Sequence, residues 1–210
     1  NYIVERISRI KKHSLDAMLK HYWVWTPFTQ FNSYLGLQID RTALFSQQGQ
    51  LVNDSFLDFS SNGFGNDLSY LLNYYYLGLD LKFTTNNFKT TFTLVGHIYD
   101  ISLNQTYNNQ STQKQFLKVS PSVSSVLDIR NGEKLHLDYV FKANLQEVSQ
   151  YNEGFVLTNY NTVFKGNALL KQTEYHSFYL RYNNVLKESN MVFSANTQYI
   201  FQSKTIKNKV

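Results

Sequence analysis

The stretch GEKLHLDYVFKA, residues 132–143, decides the fold. Leu135, Leu137, Tyr139, Phe141 and Ala143 form one apolar row, and Lys134, His136, Asp138 and Lys142 fall between them, interrupted only by Val140. Strict alternation puts successive side chains on opposite faces of an extended strand. One face is therefore built for an apolar surrounding and the other for water. The apolar surrounding is either a protein core or a lipid bilayer.

The same alternation recurs along the chain. It sets Leu77, Leu79, Leu81 and Phe83 against Gly78, Asp80, Lys82 and Thr84, and Leu15, Ala17, Leu19, Trp23 and Trp25 against Asp16, Lys20 and Tyr22. The pattern predicts strands at 15–25, 30–40, 68–84, 88–102, 115–129, 133–145, 174–184 and 190–202. Soluble strands usually run about 5–6 residues, so segments of this length are themselves informative. Short turns are expected at 25–29, 84–89, 129–134 and 184–190. The strongest is Asn131-Gly132, because both residues tolerate the positive φ of a two-residue hairpin. Long polar connections are expected at 41–67, 103–114 and 146–173. The fold class that follows is all-β: an antiparallel up-and-down meander of about eight long strands, part of a larger transmembrane β-barrel with tight turns at one end and long loops at the other.

A β-sandwich would explain the alternation by pairing two apolar faces, but it explains neither the strand length nor the loop rhythm. Aromatic residues crowd the strand ends at Tyr22, Trp23 and Trp25, at Tyr74, Tyr75 and Tyr76, at Phe88, and at Tyr199 and Phe201. Rings with an apolar body and a polar tip sit well at headgroup depth. A strand tilted about 45° crosses the hydrocarbon in roughly 9–11 residues. Leu77, Leu79, Leu81, Phe83, Leu135, Leu137, Tyr139 and Phe141 are therefore expected to face lipid, with Trp23 and Trp25 at the interface.

Composition narrows the function. The 210 residues contain no cysteine, which excludes disulfides and thiolate metal sites. The net charge of +5 is scattered rather than gathered in a basic stripe, so no nucleic-acid partner is expected. Mean hydropathy is −0.37, and no apolar run reaches the roughly 18 residues of a membrane helix, which a barrel does not need.

The stretch 118–151 resembles the TonB-dependent receptor barrels, in particular the outer-membrane β-barrel family related to SusC-type transporters. The resemblance rests on Pro121-Ser122, Asn131-Gly132, Leu135, Leu137, Tyr139, Ser149 and Gln150, with further likeness in LKHYW (19–23) and in Gly166, Asn167, Leu170 and Lys171. Gln146 stands where the family commonly has proline, and both prolines of the 166–173 element are missing. The resemblance implies a 22-stranded barrel with a plug domain, energised by TonB, in the cell outer membrane. It also implies that this chain is an internal piece of such a barrel, lacking the plug. The function implied is import of a nutrient: an oligosaccharide, a peptide or a metal chelate. The competing readings are a secreted or surface β-sandwich that binds carbohydrate or host protein, and a small barrel enzyme such as a lipase.

No catalytic, cofactor or metal site is expected, and the chain does not read as an enzyme. His97 with Asp100, and His136 with Asp138, are better explained by a water-filled lumen that tolerates charge than by a metal, which needs converging ligands. Gly63-x-Gly65 lacks the second half of a dinucleotide fingerprint. The best candidate for ligand contact is the aromatic, Asn-rich loop, through Tyr151, Asn152, Phe155, Asn159, Tyr160 and Asn161.

Overall fold

The computed structural model describes residues 3–52, 55–107, 109–159, 162–169, 172–186 and 190–204. The strands are β1 (Ile3–Thr26), β2 (Thr29–Val52), β3 (Ser55–Asp58), β4 (Asn66–Thr84), β5 (Phe88–Gln105), β6 (Gln110–Arg130), β7 (Glu133–Asn144), β8 (Phe155–Asn159), β9 (Thr162–Lys165), β10 (Thr173–Leu186) and β11 (Met191–Lys204). One antiparallel sheet runs in the order β1-β2-β4-β5-β6-β7-β10-β11, with β3 folded back on the end of β2 and β8-β9 forming a separate hairpin. Consecutive long strands pair in sequence, which satisfies most of the interior backbone on both sides, while β6 is flanked by β7 only over its second half, from Ser122 to Arg130.

The tight turns have local causes. Gly132 lies at φ +90°, a backbone region that L side chains rarely adopt. Thr85 closes the β4–β5 turn, accepting a bond from the Phe88 amide at its hydroxyl (3.1 Å) and donating its own amide to the Phe88 carbonyl (2.7 Å).

Two expected loops are largely strand. β1 and β2 are each 24 residues long, so 41–52 continues β2. The expected loop 103–114 is mostly strand, since β5 runs to Gln105 and β6 begins at Gln110. The polar composition of these stretches misleads because they stand beyond the apolar belt, where the outward row faces water. Arg41, Ala43 and Phe45 are exposed while Thr42, Leu44, Ser46 and Gln48 are buried.

Register assigns every side chain to a face. Leu19, Leu35, Leu77, Gly96 and Val119 lie in one cross-strand row, and Phe31, Leu81, Phe92, Val123 and Tyr139 lie in another on the same face. This belt face includes Leu77, Leu79, Leu81, Phe83, Leu135, Leu137, Tyr139 and Phe141, the residues expected to meet lipid. Leu77 is 57% and Leu137 47% exposed, so no second sheet covers them as a sandwich would require. Trp23 and Trp25 stand beside the β1–β2 turn, 60% and 74% exposed. No helix among the described residues is long and apolar enough to cross a membrane, which leaves crossing by strands open.

The other face changes character along its length. Beyond the belt its residues turn apolar: Leu44, Leu68, Tyr70, Leu72, Tyr99, Ile101 and Leu103 form a buried cluster with Tyr151 and Ala168. The long connection after β7 folds over this face as a second layer. Leu68, Ile101 and Leu103 are each at most 2% exposed, and such burial stabilises by about 1.5–3 kcal/mol per side chain. A face roofed by its own chain is the inner one.

Candidate ligand surface on the inner wall

The inner face at belt depth is polar and aromatic. Even positions of β2, β4 and β6 and odd positions of β5 share it, because the register pairs Tyr34 with Gly78, Gly36 with Tyr76, Tyr74 with Tyr99 and Tyr99 with Phe116. The rings form a continuous row over four strands, which runs from belt depth at Tyr34 into the buried cluster at Tyr99. Tyr34 meets Tyr76 edge-on at 6.3 Å, and Tyr76 stacks on Tyr74 at 5.2 Å. Tyr74 stacks on Tyr99 at 4.7 Å, and Tyr99 on Phe116 at 4.9 Å. Offset stacking at these separations adds about 0.5–1.5 kcal/mol per pair beyond area burial.

Two glycines make room at one end. A Cβ on Gly78 would lie 2.0 Å from the Tyr34 ring, and one on Gly36 would lie 2.3 Å from the Tyr76 ring. Each tyrosine therefore lies flat across the backbone of its partner strand, an aromatic filling the gap a glycine leaves. His97 lies beside the row, its Nδ1 bonded to the Tyr74 hydroxyl at 2.7 Å, while its Nε2 is buried with no partner among the described residues.

Cations flank the rings. The Lys20 ammonium stands 5.0 Å from the Tyr22 ring and 5.5 Å from the Tyr34 ring. Lys118 follows Phe116 on the same face of β6 and bonds Glu174 at 2.5 Å. Two cavities open on the same face. One of about 450 Å³ lies between the inner wall and the loop root, lined by Lys12, Asp40, Tyr70, Glu147 and Val148 among others. The second, about 260 Å³, opens between β6 and β7 beside His97 and Lys142.

The ligand residues expected from sequence are placed differently. Tyr151 and Asn152 are each 3% exposed, so they hold the loop down rather than offer a surface. Tyr151 stacks on Tyr70, and its carbonyl accepts a bond from Gln105 Nε2 at 3.0 Å. Burial raises the Tyr70 phenol well above its ordinary range, with the Tyr151 ring adding to the effect, and it raises the Tyr151 phenol too. Phe155 is 39% exposed and packs against Phe64 at the outer end of the loop. Asn159 closes β8, and Tyr160 and Asn161 lie outside the described residues.

The aromatic row was not singled out from sequence. Tyr22, Tyr74 and Tyr76 read there as interface aromatics, but their parity puts them inside, and of the 74–76 triplet only Tyr75 faces outward. The period-two rule contains that signal. His97 and Asp100 fall on opposite faces and do not converge. No group of three or more metal-ligating side chains occurs among the described residues.

No protein-family model matches the chain, and no curated protein matches it. Solved structures do. The chain is similar to the ferric citrate transporter FecA in its unliganded form, with TM-score 0.61 and 10% identity over 89% of this chain and 27% of that one. It is also similar to the alcaligin outer-membrane receptor FauA from Bordetella pertussis, with TM-score 0.54 and 10% identity over 95% of this chain and 30% of that one. The chain thus spans less than a third of either structure. At this identity the likeness establishes the fold alone: the sheet has the form of a stretch of β-barrel wall.

Proposed function

We propose that this chain is part of the wall of a TonB-dependent receptor in the cell outer membrane, and that the receptor imports an anionic metal chelate through its lumen. The membrane part of the reading is supported by the belt, whose apolar rows are open to the outside over the roughly 9–11 residues per strand that a bilayer requires. On β1 that belt runs from Leu15 to Trp25. The resemblance of the sequence supports coupling to TonB and a plug.

The observation that carries the choice of cargo is the aromatic row with its cations. At belt depth the Lys118–Glu174 and Lys134–Asp128 pairs are neutral, and the inner face presents Lys20, Lys82, Lys142 and Arg181 against Asp16, Asp80 and Asp138. The surplus cation, with Lys20 standing over two of the rings, favours a ligand that is anionic and flat-faced, because a lumen with low-dielectric walls focuses the field on the solute. The chelate named for FecA is ferric citrate, a ligand of that charge type. In this reading the wall binds and passes its cargo.

The test is ligand binding by the purified full-length receptor, with ferric citrate and a neutral oligosaccharide as probes. The ferric chelate is expected to bind, and Lys20→Gln combined with Tyr34→Ala is expected to weaken it at least about ten-fold, the loss of one charge-assisted contact and one stacking contact. Binding of the oligosaccharide alone, or chelate binding indifferent to both substitutions, would overturn the choice of cargo.

A further inference from the structure

The outward face of the sheet keeps cations away from the belt and then gathers them immediately above it. On β1 the belt ends at Leu15, and the next outward positions are His13, Lys11 and Arg9. His13 pairs with Arg41 of β2, two residues beyond Ile39, where the belt ends on that strand. The remaining strand cations discussed above, Lys12, Lys20, Lys82, Lys118, Lys142 and Arg181, have inward parity. Arg9, Lys11, His13 and Arg41 are all exposed.

The patch also has a shape. Lys11, His13 and Arg41 border an outward depression of about 500 Å³, floored by small or polar residues that include Ala43, Ser69 and Ser102. The outward carboxylates of this region lie outside the depression: Asp67 on β4 shares the cross-strand row of Arg9 with Phe45 between them, Asp100 on β5 lies level with Ile39, and Glu5 is four residues further from the belt than Arg9. The long connections leave the sheet at this end, so in a barrel with short periplasmic turns the patch lies on the outer-leaflet side. Its height is one to three residue pairs above the last lipid-facing row, the depth of headgroups.

We propose that Arg9, Lys11 and Arg41, with His13, form a binding site for the phosphorylated headgroup of an outer-leaflet glycolipid. Guanidinium groups donate bidentately to phosphate oxygens, and a lysine adds a point charge. The acyl chains of the same lipid would lie along Leu15, Ile39 and Leu37 below. The proposal rests on the membrane reading above but not on the cargo.

The experiment inserts the full-length receptor into phosphatidylcholine vesicles doped with diphosphoryl lipid A or with its dephosphorylated form, and counts retained glycolipid by native mass spectrometry. The wild type is expected to retain the phosphorylated form selectively. Each cation near a membrane surface contributes roughly a five-fold factor, so Lys11→Gln should weaken retention by about that much. The triple variant Arg9→Gln, Lys11→Gln, Arg41→Gln should weaken it on the order of a hundred-fold. Lys12→Gln, which alters the inner face, should leave retention unchanged. Equal retention of both lipids, an unaffected triple variant, or displacement by inorganic phosphate at concentrations matching the lipid phosphate would each overturn the site. Failure to insert into either vesicle would instead refute the membrane reading and take this proposal with it.

Discussion

The ring of Tyr151 stacks on that of Tyr70, centroids 6.1 Å apart and planes 18° from parallel. One residue belongs to the connection after β7 and the other to β4, three strands away across the sheet. The contact pins the long connection across the inner wall. With Lys114 donating to the Ala168 carbonyl and Gly154 N donating to Asn66 Oδ1 at 2.8 Å, it turns a loop into a roof over the lumen. Tyr151→Ala removes the ring from a buried cluster, a change that costs about 3–5 kcal/mol where the site cannot collapse. That loss is expected to fall on docking of the roof. Limited proteolysis should cut the variant within 145–172 while the barrel keeps its resistance to detergent unfolding, and cleavage at the wild-type rate would show that the stack does not hold the loop.

The same pair sets a pH dependence. Both phenols are raised above their ordinary value of 10 by burial. A group whose folded value is raised contributes stability that is whole below the unfolded value and is lost as pH climbs toward the folded one. Docking should therefore be unchanged from neutrality to about pH 10 and weaken above it. Phenolate absorbance after an alkaline jump should show a late-titrating fraction that shrinks in Tyr70→Phe, and an identical titration in the variant would contradict the assignment.

Tyr34 and Gly78 form the second test. A methyl at position 78 would stand 2.0 Å from the ring, so Gly78→Ala must eject Tyr34 from its place on the wall. Overpacking of this kind costs about 1–3 kcal/mol. In the background of Tyr34→Ala the same substitution should be nearly neutral, which makes the double-mutant cycle strongly non-additive. Additive effects in refolding titrations would mean that the ring and the glycine are independent.

The two faces should differ in their tolerance of charge. Leu79→Lys places an ammonium in the belt, at a cost of about 2–4 kcal/mol near the bilayer midplane. Ser122→Lys, on the inner face, should cost little, since a water-filled lumen accepts charge. Folding into vesicles followed through a denaturant series measures both, and equal costs would remove the distinction between the faces.

Much of this was legible in the sequence. In 132–143 the alternation names both faces and Asn131-Gly132 names the turn, because those choices are fixed by local geometry. The extent of β2 was harder to read, since Arg41 to Gln50 carries polar residues on both rows and polarity there signals water outside rather than irregular backbone. The roof was not legible, as the contact of Tyr151 with Tyr70 depends on register accumulated over three strand pairs. One clue was present in β4. Its apolar parity switches from Leu77, Leu79 and Leu81 to Leu68, Tyr70 and Leu72, and the switch marks where an exposed apolar belt on one face gives way to a buried cluster on the other.

The most direct measurement of the lipid-facing belt uses the absence of cysteine from these 210 residues, with any cysteine elsewhere in the receptor replaced. Single spin-labelled cysteines at 134–141 of the full-length receptor in vesicles report collision with oxygen, which concentrates in lipid, and with a water-soluble nickel chelate. Positions 135, 137, 139 and 141 should favour oxygen, with 134, 136 and 138 favouring the chelate, in strict period two. Equal chelate access on both sets, or protection of the odd set from both reagents, would place those side chains against water or under protein and contradict the account.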